Sequence, residues 1–165
     1  WHCNQYNYNT CGGSTRPSYI TVADADYYEV PYQWGGYRSV SQFDSDMAAN
    51  KTAGDVNYSH SWQSCASGVD CSGFIQNCWG QTSQKYSDSG LTGFCGEDPV
   101  ENTELQRADM WRLPYSHVRL HNDYNYEVTG AYVYESSTEN GGRVWHRYYS
   151  FEDLEDYEAW QWRGW

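Results

Sequence analysis

A cysteine, a histidine and a glutamate are the residues with the greatest chemical reach in this chain. Cys71 follows Asp70 within the segment GVDCSGFIQNCWG, residues 68–80. Aspartate is a strong helix N-cap, because its carboxylate accepts from the unpaired N–H groups of the first turn. A cysteine directly after such a cap meets the positive end of the helix dipole, which favours the thiolate. The same N–H groups can hold an oxyanion forming on an attacked carbonyl, and the small neighbours Ser72 and Gly73 let a substrate approach. A thiolate hydrolase also needs an imidazole base, and that base needs an orienting acceptor. His117 starts a strand-like run after the turn Pro114-Tyr115-Ser116, so its ring would project into a cleft. His121 and His146 suit structural roles better. Glu135 ends a Tyr-Val-Tyr run, and antiparallel pairing would bring its carboxylate to the second nitrogen of His117.

These side chains require a helix start and two paired strands. Asp70 caps a helix with Phe74, Ile75 and Cys78 on one apolar face, and Gly80 stops it. Residues 117–121, 128–135 and 143–149 read as strands between turn-rich stretches. Upstream, SQFDSDMAAN (41–50) reads as a short helix. The paired glycines of PYQWGG (31–36) mark a turn where backbone comes close to another segment. Ser150 to Leu154 begins like a capped helix. Helices first and an antiparallel sheet after them give an α+β domain in two layers. Residues 1–30 read as an extension pinned by a disulfide, and residues 31–165 as the domain proper.

Composition narrows the class. The chain has 165 residues, enough for one domain, and carries 17 Tyr, 9 Trp and 4 Phe. Its core must therefore be largely aromatic, with other rings left at the surface to meet sugars, another protein or a second copy. A formal charge of −12 argues against nucleic acid and anionic membranes. No apolar run has the length of a membrane span, no CxxC pair suggests zinc, and nothing calls for a cofactor. The start at Trp1-His2-Cys3, without a basic and apolar leader, suggests a mature, processed product. Cys3 and Cys11 flank one loop and Cys78 and Cys95 another. Either pair could be a disulfide clip, which would place the protein in an extracellular or periplasmic setting. Cys71 has two readings, a free nucleophile or half of a bridge to nearby Cys65.

In order, PYQWGG, GVDCSGFIQNCW, Arg107-Ala108-Asp109-Met110 before SHVRL, and YVYESS resemble the NlpC superfamily of papain-like peptidases. That family shows a Tyr-x-Trp-Gly-Gly turn, an Asp-Cys-Ser-Gly-Phe helix start, a Gly-Asp turn, a His-Val strand and a polar third residue. The resemblance runs from Pro31 to Arg163 and implies a papain-like fold. It further implies a secreted peptidase or amidase cutting cell-wall peptide stems, with Cys71 as nucleophile, His117 as base and Glu135 as orienter. Tyr32 would lie near the oxyanion side. Tyr32, Trp34, Trp79 and Ser72 are the candidate substrate contacts, with core packing the alternative for Trp79, and Asp44 or Asp46 would receive a substrate amine. In this chain Ala108 stands where the family usually has glycine, and Glu135 replaces the more frequent His, Gln or Asn. The competing class is a catalytically idle domain serving as an extracellular structural or assembly subunit, since Tyr and Trp are favoured interface anchors.

Overall fold

The computed structural model describes residues 1–164. In chain order the elements are β1 (His2–Cys3), α1 (Gln5–Tyr8), β2 (Ala25–Asp26), α2 (Val40–Ala48), β3 (Thr52–Ala53), β4 (Ala66–Ser67), α3 (Cys71–Cys78) and α4 (Asp88–Leu91). The sheet strands follow: β5 (Met110–Leu113), β6 (His117–Tyr124), β7 (Gly130–Ser137), β8 (Arg143–Ser150) and β9 (Glu158–Trp160). They form one antiparallel sheet in the order β8-β7-β6-β5-β9. Helices therefore precede an antiparallel sheet, as the sequence pattern predicts. No helix among the described residues is long and apolar enough to cross a membrane.

Strand alternation sorts side chains between two faces. Met110, Val118 and Leu120 pack with Ile75 and Trp79 of the α3 region and with Leu91 and Cys95. On the other face Trp111, Ala131, Val133 and Tyr149 are covered by Leu105 and Leu154. The expected helix at Ser150–Leu154 is a run of turns instead. Ser150 and Asp153 do exchange cap-like hydrogen bonds. However, Leu154 is drawn into the core and β9 starts at Glu158, leaving no length for a helix.

Helix α3 begins and ends as its caps dictate. Asp70 accepts from Gly73 N–H at 2.7 Å. At the other end Gly80 takes φ +70°, a left-handed conformation that glycine adopts without Cβ strain. Its N–H reaches the Asn77 carbonyl and that of Gln81 reaches Gln76, closing a Schellman stop. The buried stripe is Ser72, Ile75, Gln76 and Trp79, a correction to the expected face of Phe74, Ile75 and Cys78. The bulk of Trp79 draws that flank inward: its ring stacks on Trp162 at 5.5 Å and its N–H donates to the Ala108 carbonyl.

The PYQWGG turn lies against the start of α3. A Cβ on Gly73 would stand 2.0 Å from the Gly36 carbonyl, so only glycine allows the two backbones this approach. Asp70 N–H donates to that same carbonyl at 2.9 Å. Residues 1–30 pack on α2 and β3 through Cys3, Ile20, Phe43, Met47 and Ala53, with Trp1 set against Tyr27 and Phe43.

Both expected disulfides are overturned. Cys11 bonds Cys65, tying the first residues to the loop before β4, while Cys3, Cys71, Cys78 and Cys95 are free. Cys3 is buried in the N-terminal cluster and Cys95 in the core beside α3, whereas Cys78 stands on the exposed flank of its helix. Closeness along the chain did not bring these thiols together in space.

Candidate active site

Cys71 occupies the first helical position of α3, where its backbone N–H has no partner within the helix. The helix packs on β6 and β7, and Ser136 of β7 donates to the Val69 carbonyl at 2.8 Å, fixing the segment that leads into Cys71. His117, the first residue of β6, lies at the lip of the same cleft and interacts with the Cys71 side chain. Its Nε2 meets Glu135 Oε2 at 2.6 Å, so Nδ1 is the ring nitrogen left for another partner.

The sheet register explains that contact. Leu120 pairs with Tyr134, so Arg119 stands directly across from Glu135 and His117 one diagonal step away. Glu135 is 1% exposed and its two oxygens meet four donors. Oε2 takes His117 and, at 3.0 Å, Arg119 Nε; Oε1 takes Trp145 Nε1 at 3.1 Å and the Tyr149 hydroxyl. Arg119 is held between the rings of Tyr149 and Tyr157, its Cζ 3.7 and 4.4 Å from their centroids.

Burial opposes charge on both central groups, yet the partners prevail. For His117, the Cys71 sulfur and Glu135 together push the imidazole up to about 9. For Glu135, hydrogen bonding to His117 and the Arg119 charge bring the carboxyl down to about 2. The pair is therefore an imidazolium and a carboxylate at neutral pH. An imidazolium is the counter-charge that a thiolate needs.

The cleft around Cys71 has a volume of about 750 Å³. Tyr32, Trp34 and Ser72 line it. Tyr32 is 6% exposed, and burial together with the neighbouring Cys71 raises its phenol pKa, keeping it a donor. Trp34, half exposed, meets Tyr58 edge-on at the rim. Trp79 is not a cleft residue; it is core, 4% exposed, for the packing reason given above. Neither Asp44 nor Asp46 lines the cleft. Asp46 is spent on Arg38, Lys51 and Ser67, which hold its pKa low despite burial. The cleft's acids are instead Asp70, Asp88 and Glu139.

Arg119 and Lys85 are among the cleft residues that the sequence pattern did not single out. Arg119 was legible in principle, because a residue two places along a strand shares its neighbour's face. Lys85 was not, since it lies in a polar loop with no periodic signal. Its Nζ sits 2.9 Å from Asp70 Oδ1 and 2.8 Å from the Tyr86 carbonyl, and also contacts the Ser72 hydroxyl. An anionic cap beside Cys71 would oppose a thiolate, and the ammonium cancels that field. His121 is buried and neutral, accepting from Trp111 Nε1 at 3.3 Å, with burial taking it down to about 4. Among the described residues no group of three or more His, Cys, Asp or Glu side chains could hold a metal ion.

No protein-family profile matches the chain, nor does any curated protein or solved structure.

Proposed function

We propose that the chain is a papain-like cysteine peptidase or amidase, related to the NlpC superfamily, that hydrolyses amide bonds in peptidoglycan-type peptide stems. The observation that carries this reading is that Cys71 and His117 line one cleft, with His117 held by a buried, four-times hydrogen-bonded Glu135. The Cys71 thiolate attacks the amide carbon, and the C–N bond breaks as the imidazolium gives its proton to the leaving amine. Water then attacks the thioester, with neutral His117 accepting a proton, and the thiolate departs as the acid forms. The Cys71 N–H and the Tyr32 hydroxyl are the donors for the oxyanion of both steps. The Cys11–Cys65 bond suits an extracellular or periplasmic setting.

The test is release of peptides from purified cell-wall fragments. Wild-type protein should cleave them, Cys71→Ser should not, and Cys71→Ser should still bind. Tyr32→Phe should slow the chemical step by about tenfold to a hundredfold, since one hydroxyl supplies part of the stabilisation. No cleavage across wall types, with Cys71 resistant to alkylation near neutral pH, would leave the idle assembly domain as the reading. The stacked Tyr134, His146, Tyr132 and Tyr148 side chains, with the three tyrosines each nearly two-fifths exposed, would then be its natural contact face.

A further inference from the structure

On the flank of α3 lies a second cavity of about 740 Å³ that shares no lining residue with the catalytic cleft. Its origin follows from how the helix packs. With Ser72, Ile75, Gln76 and Trp79 turned into the protein, Phe74 and Cys78 are left on the flank, facing Val40 of α2 and Tyr134 of β7 across the gap. Tyr28, Val40 and Tyr134 are 93%, 69% and 39% exposed, and all three line this one hollow. Monomer surfaces seldom gather exposed apolar side chains in a concave patch without a ligand to cover them. The volume also falls in the range of small-molecule sites, roughly 300–1,000 Å³.

The polar lining points to the ligand's charge. The chain holds 22 acidic and 10 basic residues, yet this cavity is lined by two arginines and a single acid. Arg38 is committed to Asp46 at 2.9 Å. Arg143 is not committed: its buried Nε has no partner, and its one ion pair among the described residues is a loose 3.9 Å contact with Glu29. A guanidinium offers five donors in a planar fork matched to a carboxylate. We propose that this cavity binds a small monocarboxylic acid with an apolar body, its carboxylate on Arg143 and its body against Val40, Phe74, Cys78 and Tyr134.

Cys78 supplies a readout that does not depend on catalysis. In a Cys71→Ser protein the remaining free thiols are Cys78, which is exposed, and Cys3 and Cys95, which are buried. Labelling of Cys78 by N-ethylmaleimide is followed at increasing decanoate, with decanol as the uncharged control of equal length. Decanoate should slow labelling saturably, and decanol should need at least about tenfold higher concentration, the difference a charge-assisted pair supplies. Arg143→Met should weaken decanoate to the level of decanol. Because that side chain also lies over Tyr19, Val40→Glu provides an independent check. Val40 is exposed at the first turn of α2, where an added acid suits the helix dipole, yet the charge would repel the ligand. Equal protection by decanol, no protection by either compound, or decanoate protection surviving both substitutions would overturn the assignment.

Discussion

Replacing Glu135 by glutamine probes the relay most directly, because shape is kept while charge is removed. The amide has one acceptor oxygen for four donors. If that oxygen serves His117 and Arg119, the amide nitrogen faces Trp145 Nε1 and Tyr149. The hydroxyl can turn to accept, but the indole cannot. Arg119, 9% exposed along its side chain, also loses its only ion-pair partner among the described residues. Breaking a buried pair from one side costs about 3–5 kcal/mol. The loss should follow pH in a defined way. Glu135 is held at about 2 against an ordinary 4.5, so its contribution is full above 4.5 and disappears as pH falls toward 2. His117 is raised to about 9 from 6.5, so its contribution is full below 6.5 and disappears as pH rises through 9. The stability gap between wild type and Glu135→Gln should thus be widest near pH 5–6 and narrow on both sides. His121, held near 4 by burial, weakens both proteins alike in acid and cancels in the difference.

The same substitution has a chemical consequence. Raising an imidazole from 6.5 to about 9 corresponds to roughly 3 kcal/mol. Glu135 shares that work with Cys71, so about half should vanish with the carboxylate. Alkylation of Cys71 by iodoacetamide near pH 6.5, in a Cys78→Ser background, should fall by about tenfold to thirtyfold. The reasoning fails if urea midpoints differ by less than ~0.5 kcal/mol, or if stability falls while the alkylation profile stays where it was. The second result would make Glu135 a structural ion with no part in charging His117.

Three further outcomes follow from the same geometry. Arg119→Met should cost about 3 kcal/mol and make acid unfolding begin at higher pH, because Arg119 helps hold Glu135 ionised; an unchanged acid midpoint would refute this. Ala108→Gly should raise the thermal midpoint by about 0.5–1 kcal/mol equivalent, since Ala108 sits at φ +74°, where a Cβ is strained. Cys11→Ser should lower stability by about 4 kcal/mol, because the Cys11–Cys65 bond spans 54 positions. Treating wild type with reductant should reproduce that loss.

How legible the fold was depended on whether a local rule was enough. The Asp70 cap and the Gly80 stop framed α3 correctly, since both act within one turn of the helix. β6, β7 and β8 were legible through their aromatic and β-branched runs. β5 and β9 were not, and a polar pair explains why. Arg112 and Glu158 are direct cross-strand partners joined at 2.7 Å, so neither strand carries an uninterrupted apolar alternation. Trp79 could not be assigned from sequence because its partner, Trp162, lies 83 positions away. The disulfide was misread for the same reason: sequence neighbours were taken as partners, while Cys11 and Cys65 meet only after the first residues fold back over β3 and β4.

The cleft also answers a difficulty set by composition. A chain of charge −12 should oppose any thiolate through its summed field. Around Cys71, however, the acids come with their own cations: Asp70 with Lys85 at 2.9 Å, Glu135 with Arg119 at 3.0 Å, and Asp88 with Arg112 at 3.2 Å. Each such pair is nearly neutral at the distance of the sulfur, because opposite charges this close leave only a dipole. Three of the ten basic residues are thus placed on acids that line or adjoin the site. Glu139, at the far rim, pairs among the described residues with Arg147 alone, at 4.0 Å, and is more than two-thirds exposed, so water screens it. What remains unbalanced next to Cys71 is the proton on His117. The positive charge presented to Cys71 then comes from one imidazole, and through it from the hydrogen bonds of Glu135, rather than from the composition of the protein as a whole.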